Sequence, residues 1–136
     1  MNRFYFFIPF IVLMMIGCST ISENLRFGQF EKTSKAYENT LREALYEIAS
    51  QFMRPAADKE ETDFSRYKNI KVFEYAVKDV GLSEDKSEIH QTVEIQYFML
   101  DRYILKTIQD KQLWKYDEEY EDWFLQTGLP DFKFEK

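Results

Sequence analysis

The chain has 136 residues, with 18 basic and 24 acidic side chains and a formal net charge of −6. This acidic balance argues against nucleic acid as a partner, and it also argues against a surface that lies on anionic lipid. The length predicts one domain, and an aromatic content of 18% is enough to build its core. A single cysteine excludes an internal disulfide, and a single histidine excludes a histidine-rich metal site.

The N-terminal segment has the pattern of a secretory signal. Residues 4–16 are apolar, one cation, Arg3, precedes them, and Gly17-Cys18 follows directly. About 7–15 apolar residues before small residues are typical of a cleaved signal, whereas a membrane-spanning helix needs about 20. The segment resembles bacterial lipoprotein signals, in which cleavage falls just before a cysteine that receives a diacylglyceryl group. We therefore predict a signal peptide at residues 1–17 and lipidation at Cys18.

Lipidation implies a membrane as the first partner, because two or more acyl chains, palmitate among them, anchor a protein stably. Ser19 follows the cysteine, and its similarity to proteobacterial lipoproteins implies the periplasmic face of the outer membrane. Residues 18–32 are predicted to be the lipidated N-terminus and a mostly irregular tether. The alternative is that the apolar side chains of this segment, Phe27 and Phe30 among them, dock onto the domain. Residues 33–136 are predicted to form a single α+β domain.

The first predicted element of that domain is a helix from Thr33 to about Met53. Its apolar residues recur in steps of three and four, so they form one stripe that we expect to lie under a sheet. They are Tyr37, Leu41, Ala44, Leu45, Ile48, Ala49 and Phe52. The helix is predicted to end at Arg54-Pro55, since a residue before proline avoids the α region.

The chain after Asn69 has the pattern of consecutive antiparallel strands. The predicted strands are residues 70–80, 89–99, 103–116 and 123–127, with charged turns between them. In the second strand the odd positions are mostly apolar and alternate with polar residues, so we expect them to face inward. The acidic segment Asp117–Asp122 is predicted to be a solvated hairpin turn, because it lacks the glycine and spacing of a calcium loop. A hairpin centred in that segment places Trp114 opposite Trp123.

A leading helix followed by four antiparallel strands predicts an α+β fold in which a curved sheet packs on the helix. Several segments carry a further likeness: Ala36-Tyr37, Leu41-Arg42, Tyr46 with Ala49 and Phe52, Asn69–Tyr75, Val93–Phe98, Leu113–Asp117 and Trp123–Leu125. In their order along the chain, these segments resemble the nuclear transport factor 2-like superfamily, in particular its small bacterial lipoproteins. The resemblance implies a cone with a cavity at its wide mouth. It also implies a leading helix that is either continuous or broken in two near Glu43-Ala44.

Within such a cone the candidate cavity-lining residues are Tyr97, Tyr103, Trp114 and Trp123. His90 alternates with the inward set and is therefore predicted to lie on the surface. The ketosteroid-isomerase-like members of the superfamily place a carboxylate and a tyrosine inside the cone. Asp101 is the carboxylate nearest to the candidate tyrosines, but Asp101-Arg102 has the pattern of an exposed turn. No catalytic residue, metal site or cofactor is predicted.

The predicted function is a non-enzymatic binding or adaptor domain that takes a small apolar ligand or a protein partner. A lyase or isomerase of the ketosteroid-isomerase type is the first alternative, and a component of an envelope assembly or secretion complex is the second. A homodimer is implied by the resemblance alone. A carboxylate and a tyrosine that converge inside the domain would favour the enzyme, whereas an aliphatic filling would disfavour it.

Overall fold

The computed structural model describes residues 18–54 and 62–133 and has two helices packed on a four-stranded antiparallel sheet. The helices are α1 (Cys18–Arg42) and α2 (Tyr46–Ala49), and 3-10 turns cover Ser50–Phe52 and Phe64–Tyr67. The strands are β1 (Ile70–Leu82), β2 (Glu88–Met99), β3 (Ile104–Asp117) and β4 (Asp122–Leu125), in the sheet order β1-β2-β3-β4. The predicted α+β class is confirmed. The predicted signal peptide, residues 1–17, lies outside the described residues, and within them no helix is long and apolar enough to cross a membrane.

Helix α1 is longer than the sequence predicts, because it begins at Cys18. The expectation of a mostly irregular segment before Phe30 is therefore wrong. Phe30 instead docks onto the domain, as the alternative prediction has it, and is 3% exposed. Its ring packs edge-on against Trp114 and Trp123, with ring centroids 5.9 and 5.6 Å apart. Leu25 stays exposed on the other side of the helix. These aromatic contacts give the N-terminal half of α1 a fixed position on the sheet.

The leading helix is broken in two, as one of the two predicted alternatives has it. Ala44 adopts the left-handed region at φ 58°, and this turn ends α1 and reorients the chain before α2. After the turn Tyr46 and Ala49 are buried, whereas Leu45 and Ile48 are 40% and 44% exposed. The predicted single stripe is therefore wrong at Ala44, Leu45 and Ile48, because the left-handed Ala44 rotates the following turn out of phase. The stripe members that the structure does bury are Tyr37, Leu41 and Ala49.

Strand β2 confirms the predicted alternation along its whole length. Every odd position from Ile89 to Met99 is buried, because β2 pairs without interruption with β3 on one side and lies over the helices. Strand β1 is less regular and runs on through Gly81, the residue at which the sequence predicted its end. Bulges between Val72 and Glu74 and between Val77 and Asp79 each shift its alternation by one residue.

The β3–β4 hairpin pairs two residues away from the predicted register. Trp114 lies opposite Leu125, and Tyr116 lies opposite Trp123. The predicted pairing of the two tryptophans is therefore wrong. Because the slip is an even number of residues, both indoles still face the same side of the sheet, where both are buried.

The turn of this hairpin explains the slip. The Asp117 carboxylate accepts the backbone N–H groups of Glu119 and Tyr120, at 2.9 and 3.2 Å. Glu121 then takes a left-handed conformation at φ 51°, and Asp122 pairs with Asp117. A side-chain oxygen that holds the turn at its first residue moves the centre of the hairpin toward the C-terminus.

Candidate functional site

A group of polar side chains lies in the middle of the inner face of the sheet, the face that α1 covers. Its centre is Gln112, which is 2% exposed. The Gln112 side-chain amide donates to Asp110 Oδ2 at 2.8 Å and to the Tyr75 hydroxyl at 2.9 Å. Its carbonyl oxygen accepts from Gln91 Nε2 at 3.2 Å and from the Trp114 indole N–H at 3.1 Å. We call Tyr75, Gln91, Asp110 and Gln112 the inner polar cluster.

Strand pairing explains why these four side chains meet. The register of β2 and β3 places Gln91 opposite Gln112 and Val93 opposite Asp110, so both residues of β3 share the inward face of β2. On β1 the first bulge turns Tyr75 inward. Three strands therefore bring their polar side chains to one point under the helix.

Tyr37 of α1 closes the cluster from above. Its side chain is fully buried, and among the described residues its hydroxyl has no hydrogen-bond partner. Burial, and after it the negative charge of nearby Asp110, raises the pKa of Tyr37 well above its ordinary value. A hydroxyl left unpaired inside a protein is costly, and such positions are expected to have a specific reason.

The electrostatics of the cluster favour uncharged side chains. Burial raises the pKa of the Asp110 carboxyl, and the hydrogen bond from Gln112 opposes this effect only in part. Burial also raises the pKa of Tyr75. A carboxyl group with a raised pKa beside two phenols is able to accept and return a proton closer to neutral pH than an exposed aspartate.

Of the four candidate cavity-lining residues, the structure brings only the two tryptophans together. Trp114 and Trp123 are buried on either side of Phe30, and the Trp123 indole N–H donates to the Arg26 carbonyl at 2.9 Å. Their hydrogen bonds and ring contacts are satisfied within the protein, so they form packed core.

The two candidate tyrosines lie elsewhere. Tyr97 is fully buried, but its ring packs on Phe132 at 4.9 Å and its hydroxyl accepts the N–H of Lys133 at 3.0 Å. Tyr103 is 90% exposed in the β2–β3 turn and does not line the interior. Asp101 is also exposed in that turn, and the His90 side chain is 65% exposed, as the sequence predicts for both.

The acidic hairpin turn is partly paired rather than only solvated. Arg26 of α1 contacts the Glu118 carboxylate at 3.0 Å, and Arg54 contacts Asp117 at 3.3 Å. The Asp122 carboxylate accepts from Gln29 of the same helix at 3.3 Å. Across residues 18–54 and 62–133 no group of three side chains has the arrangement of a metal site.

Two shallow grooves of about 290 Å³ each flank the N-terminal half of α1. One lies between the helix and the inner face of β1 and includes Phe27, Val77 and Val80 in its lining. The other continues past Phe27 to Leu82 and Trp123. Both grooves expose apolar surface of the helix layer beside β1. A larger groove of about 920 Å³ lies beside α2 and includes Leu45 and Ile48 in its lining.

Asp110 is the residue that the sequence reasoning missed. In the sequence, residues 109–112 are only a polar stretch inside the predicted strand 103–116. Pairing the inward odd positions of β2 with even positions of β3 would have placed Gln91, Asp110 and Gln112 inside together. No protein-family model, curated protein or solved structure matches this chain.

Proposed function

We propose that the chain is a lipid-anchored envelope protein, held through Cys18 at the periplasmic face of a bacterial outer membrane, whose domain binds a partner without catalysis. The observation that carries the binding part of the proposal is the packing of the interior. The two largest side chains, Trp114 and Trp123, are closed over by Phe30, and every polar atom of their rings is hydrogen-bonded. Such an interior leaves binding to the outer surfaces, where Phe27 and the apolar residues of β1 are accessible.

We further propose that the domain is a nuclear transport factor 2-like cone. A broken leading helix, a four-stranded meander and two bulges in β1 are features that support a nuclear transport factor 2-like cone. Bulges bend a strand and increase its twist, which is how a sheet curves around a helix. In this arrangement the helix starts at the lipidated residue, so the domain would lie directly beside the membrane.

The anchor is tested in a Gram-negative host with the full chain carrying a C-terminal tag. We expect a palmitate analogue to label the wild-type protein and Ser19→Asp, and to leave Cys18→Ser unlabelled. Sucrose-gradient separation should place the wild type in the outer membrane and Ser19→Asp in the inner membrane. Label on Cys18→Ser, or a wild-type chain without label, would refute the anchor.

Binding through the helix layer is tested by photo-cross-linking in the same membranes. A photoreactive side chain at Phe27 should capture a partner, whereas one at Leu105, on the opposite face of the sheet and 50% exposed, should not. Equal capture from both positions would show that the contact is unspecific.

A second candidate function is favoured by one observation, the convergence of Asp110 with Tyr37 and Tyr75. It is a lyase or isomerase of the ketosteroid-isomerase type, in which the buried carboxyl transfers a proton. We would follow deuterium exchange next to the carbonyl of cyclic ketones by NMR with the purified chain. Asp110→Asn should abolish the exchange and Asp101→Asn, a matched change in an exposed turn, should leave it intact. Equal rates for wild type and Asp110→Asn would exclude this candidate.

A further inference from the structure

Strand β1 is an edge strand with an uncovered second half. Among the described strands it pairs with β2 alone, at one end of the sheet order. Its first half is capped, since the Tyr46 hydroxyl donates to the Ile70 carbonyl at 3.1 Å and Arg42 donates to the Phe73 carbonyl at 3.1 Å. Within residues 18–54 and 62–133, the stretch 74–82 has no such hydrogen bond from the helices. An open edge of this length offers backbone groups to another strand.

The uncovered half of β1 is also apolar on the inner face. Val77, Val80 and Leu82 are 49%, 45% and 49% exposed, although their partners on β2 point into the core. Phe27 of α1, 40% exposed, lies on the other side of the groove beside them. The charges and the bulge in this stretch protect the edge against indiscriminate strand pairing. The apolar side chains beside them are nevertheless exposed, so a partner that covers this patch must also match those charges.

The pattern of this edge fits a second copy of itself. Residues that face each other in an antiparallel pair lie on the same side of the sheet. The bulge after Val77 puts Val77 and Val80 on the inner face. Lys78 and Asp79 stay exposed. Lys78 also lies 3.5 Å from the Glu94 carboxylate of the same chain and remains half exposed there. A two-fold axis between Lys78 and Asp79 therefore pairs Val77 with Val80 of the second copy and Lys78 with Asp79 of the second copy. Both pairs occur twice.

A neighbouring register does not have this property. An axis through Lys78 would set lysine against lysine and would place Val77, which faces inward, opposite Asp79, which does not. Repeated opposite charges around an axis are expected of an isologous contact, in which one surface must complement itself. A strand from a different protein would need only the free backbone groups of the edge, and its binding would not explain why the charges complement themselves.

We infer that two copies of the chain join through their β1 edges, over residues 75–82, into one continuous eight-stranded sheet. Both helix layers then lie on the same side of that sheet, and Phe27, Val77, Val80 and Leu82 of each copy line a shared trench. Because the joined edge is short compared with interfaces of about 1,200–2,000 Å², the dimer is expected to be concentration-dependent. The inference does not depend on the lipid anchor.

The charge pairs are tested by sedimentation velocity on the full chain in detergent. Asp79→Lys sets lysines against each other at two points, so we expect the dissociation constant to rise about tenfold. The double variant Lys78→Asp/Asp79→Lys restores opposite charges across the axis and should dimerise again. It has the composition and the net charge of the wild type. Lys78→Asp alone, which also loses the ion pair with Glu94, controls for the effect of that pair within one chain. The matched control Asp101→Lys makes the same charge change as Asp79→Lys in an exposed turn and should not alter the constant. A monomer at every concentration, or a double variant no better than Asp79→Lys, would overturn the inference.

The register is tested by disulfide formation between two differently tagged chains. Facing Cβ atoms lie about 4.5–5.5 Å apart, within reach of a disulfide after a small adjustment. A mixture of Val77→Cys and Val80→Cys chains should give a cross-linked heterodimer, and each variant alone should give much less. The wild type, whose only cysteine is Cys18, sets the background. Equal yields from the single variants would refute this register, and stronger self-cross-linking of Leu105→Cys would instead indicate a dimer through the outer sheet face.

Discussion

The β4 side and the β1 side of the same sheet face differ in how they are covered. On the β4 side Trp114 and Trp123 are 0% and 2% exposed beneath α1. On the β1 side Val80 and Leu82 also face inward but stay nearly half exposed. The cause is the path of α1, which runs from the hairpin turn at Glu118 toward the start of β1 and leaves the second half of β1 uncovered. Inward orientation and burial are thus separate properties of a strand.

Truncation to alanine is expected to change the free energy of unfolding far more on the β4 side than on the β1 side. Trp114→Ala should lower the free energy of unfolding by about 3–5 kcal/mol, because it opens a cavity under Phe30 and removes a hydrogen bond to Gln112. Leu82→Ala should cost less than about 1 kcal/mol, since half of that side chain is already in water. Urea unfolding of the full chain, followed by tryptophan fluorescence and by far-ultraviolet circular dichroism, measures both. Equal losses would show that α1 does not divide the face in this way.

The helix break offers a comparison across one turn. Leu41, before the left-handed Ala44, is fully buried, whereas Leu45, just after it, is 40% exposed. We expect Leu41→Ala to cost about 2–5 kcal/mol and Leu45→Ala less than about 1 kcal/mol. A Leu45→Ala variant as unstable as Leu41→Ala would mean that the continuous stripe predicted from the sequence is correct.

The centre of the inner polar cluster should show an intermediate effect. Gln112→Leu fills the same space but removes the hydrogen bonds that Gln112 makes with its polar neighbours. The Asp110 carboxyl and the Trp114 indole N–H each lose their hydrogen bond to Gln112. Each buried polar group left unpaired costs about 1–3 kcal/mol, and part of this is recovered by the apolar side chain, so we expect a net loss of about 2 kcal/mol. Gln109→Leu, the same change on the opposite face of β3, is the control and should be nearly neutral. A neutral Gln112→Leu would show that the cluster is hydrated.

The same contrasts separate the parts of the fold that can be predicted from the sequence from those that cannot. The faces of β2 were predictable, because a central strand that pairs evenly on both sides keeps its alternation. The faces of β1 were not, because nothing in its residue types marks the bulges at Phe73 and Lys78. The break at Ala44 was hard to locate for a related reason, since left-handed turns usually carry glycine or asparagine.

The candidate site was likewise predictable only where local residue patterns are sufficient. Trp114 and Trp123, two of the candidate cavity-lining residues, face the inner side of the sheet and pack against Phe30, a residue assigned to a tether. Asp110 was overlooked because its role is visible only once β3 is placed in register with β2. Long-range pairing, which local residue patterns do not contain, therefore decided which polar residues meet.

The smallest expected effect depends on pH and concerns Asp110. Its pKa is raised by burial, so folding favours the protonated carboxyl over the charged one. The unfolded chain has the ordinary value of 3.8. As the pH rises above that value the folded state loses stability relative to the unfolded state, until the folded carboxyl has also ionised. Tyr37 and Tyr75 add no titration below neutral pH, since burial raises the pKa of each above its ordinary value.

Asp110→Asn isolates this effect, because an asparagine oxygen is able to accept the same hydrogen bond from Gln112 without ever carrying a charge. We expect the variant to melt at a higher temperature than the wild type at pH 7, and the difference to shrink as the pH approaches 3.8. Asp101→Asn, in the exposed β2–β3 turn, should show no such trend. Calorimetry of the three full-length chains at pH 4, 5.5 and 7 provides the comparison. A gap between Asp110→Asn and wild type that is equally large at pH 4 would contradict a buried, charge-sensitive carboxyl. The effect would then have to come from packing, as it does for Trp114 on the β4 side.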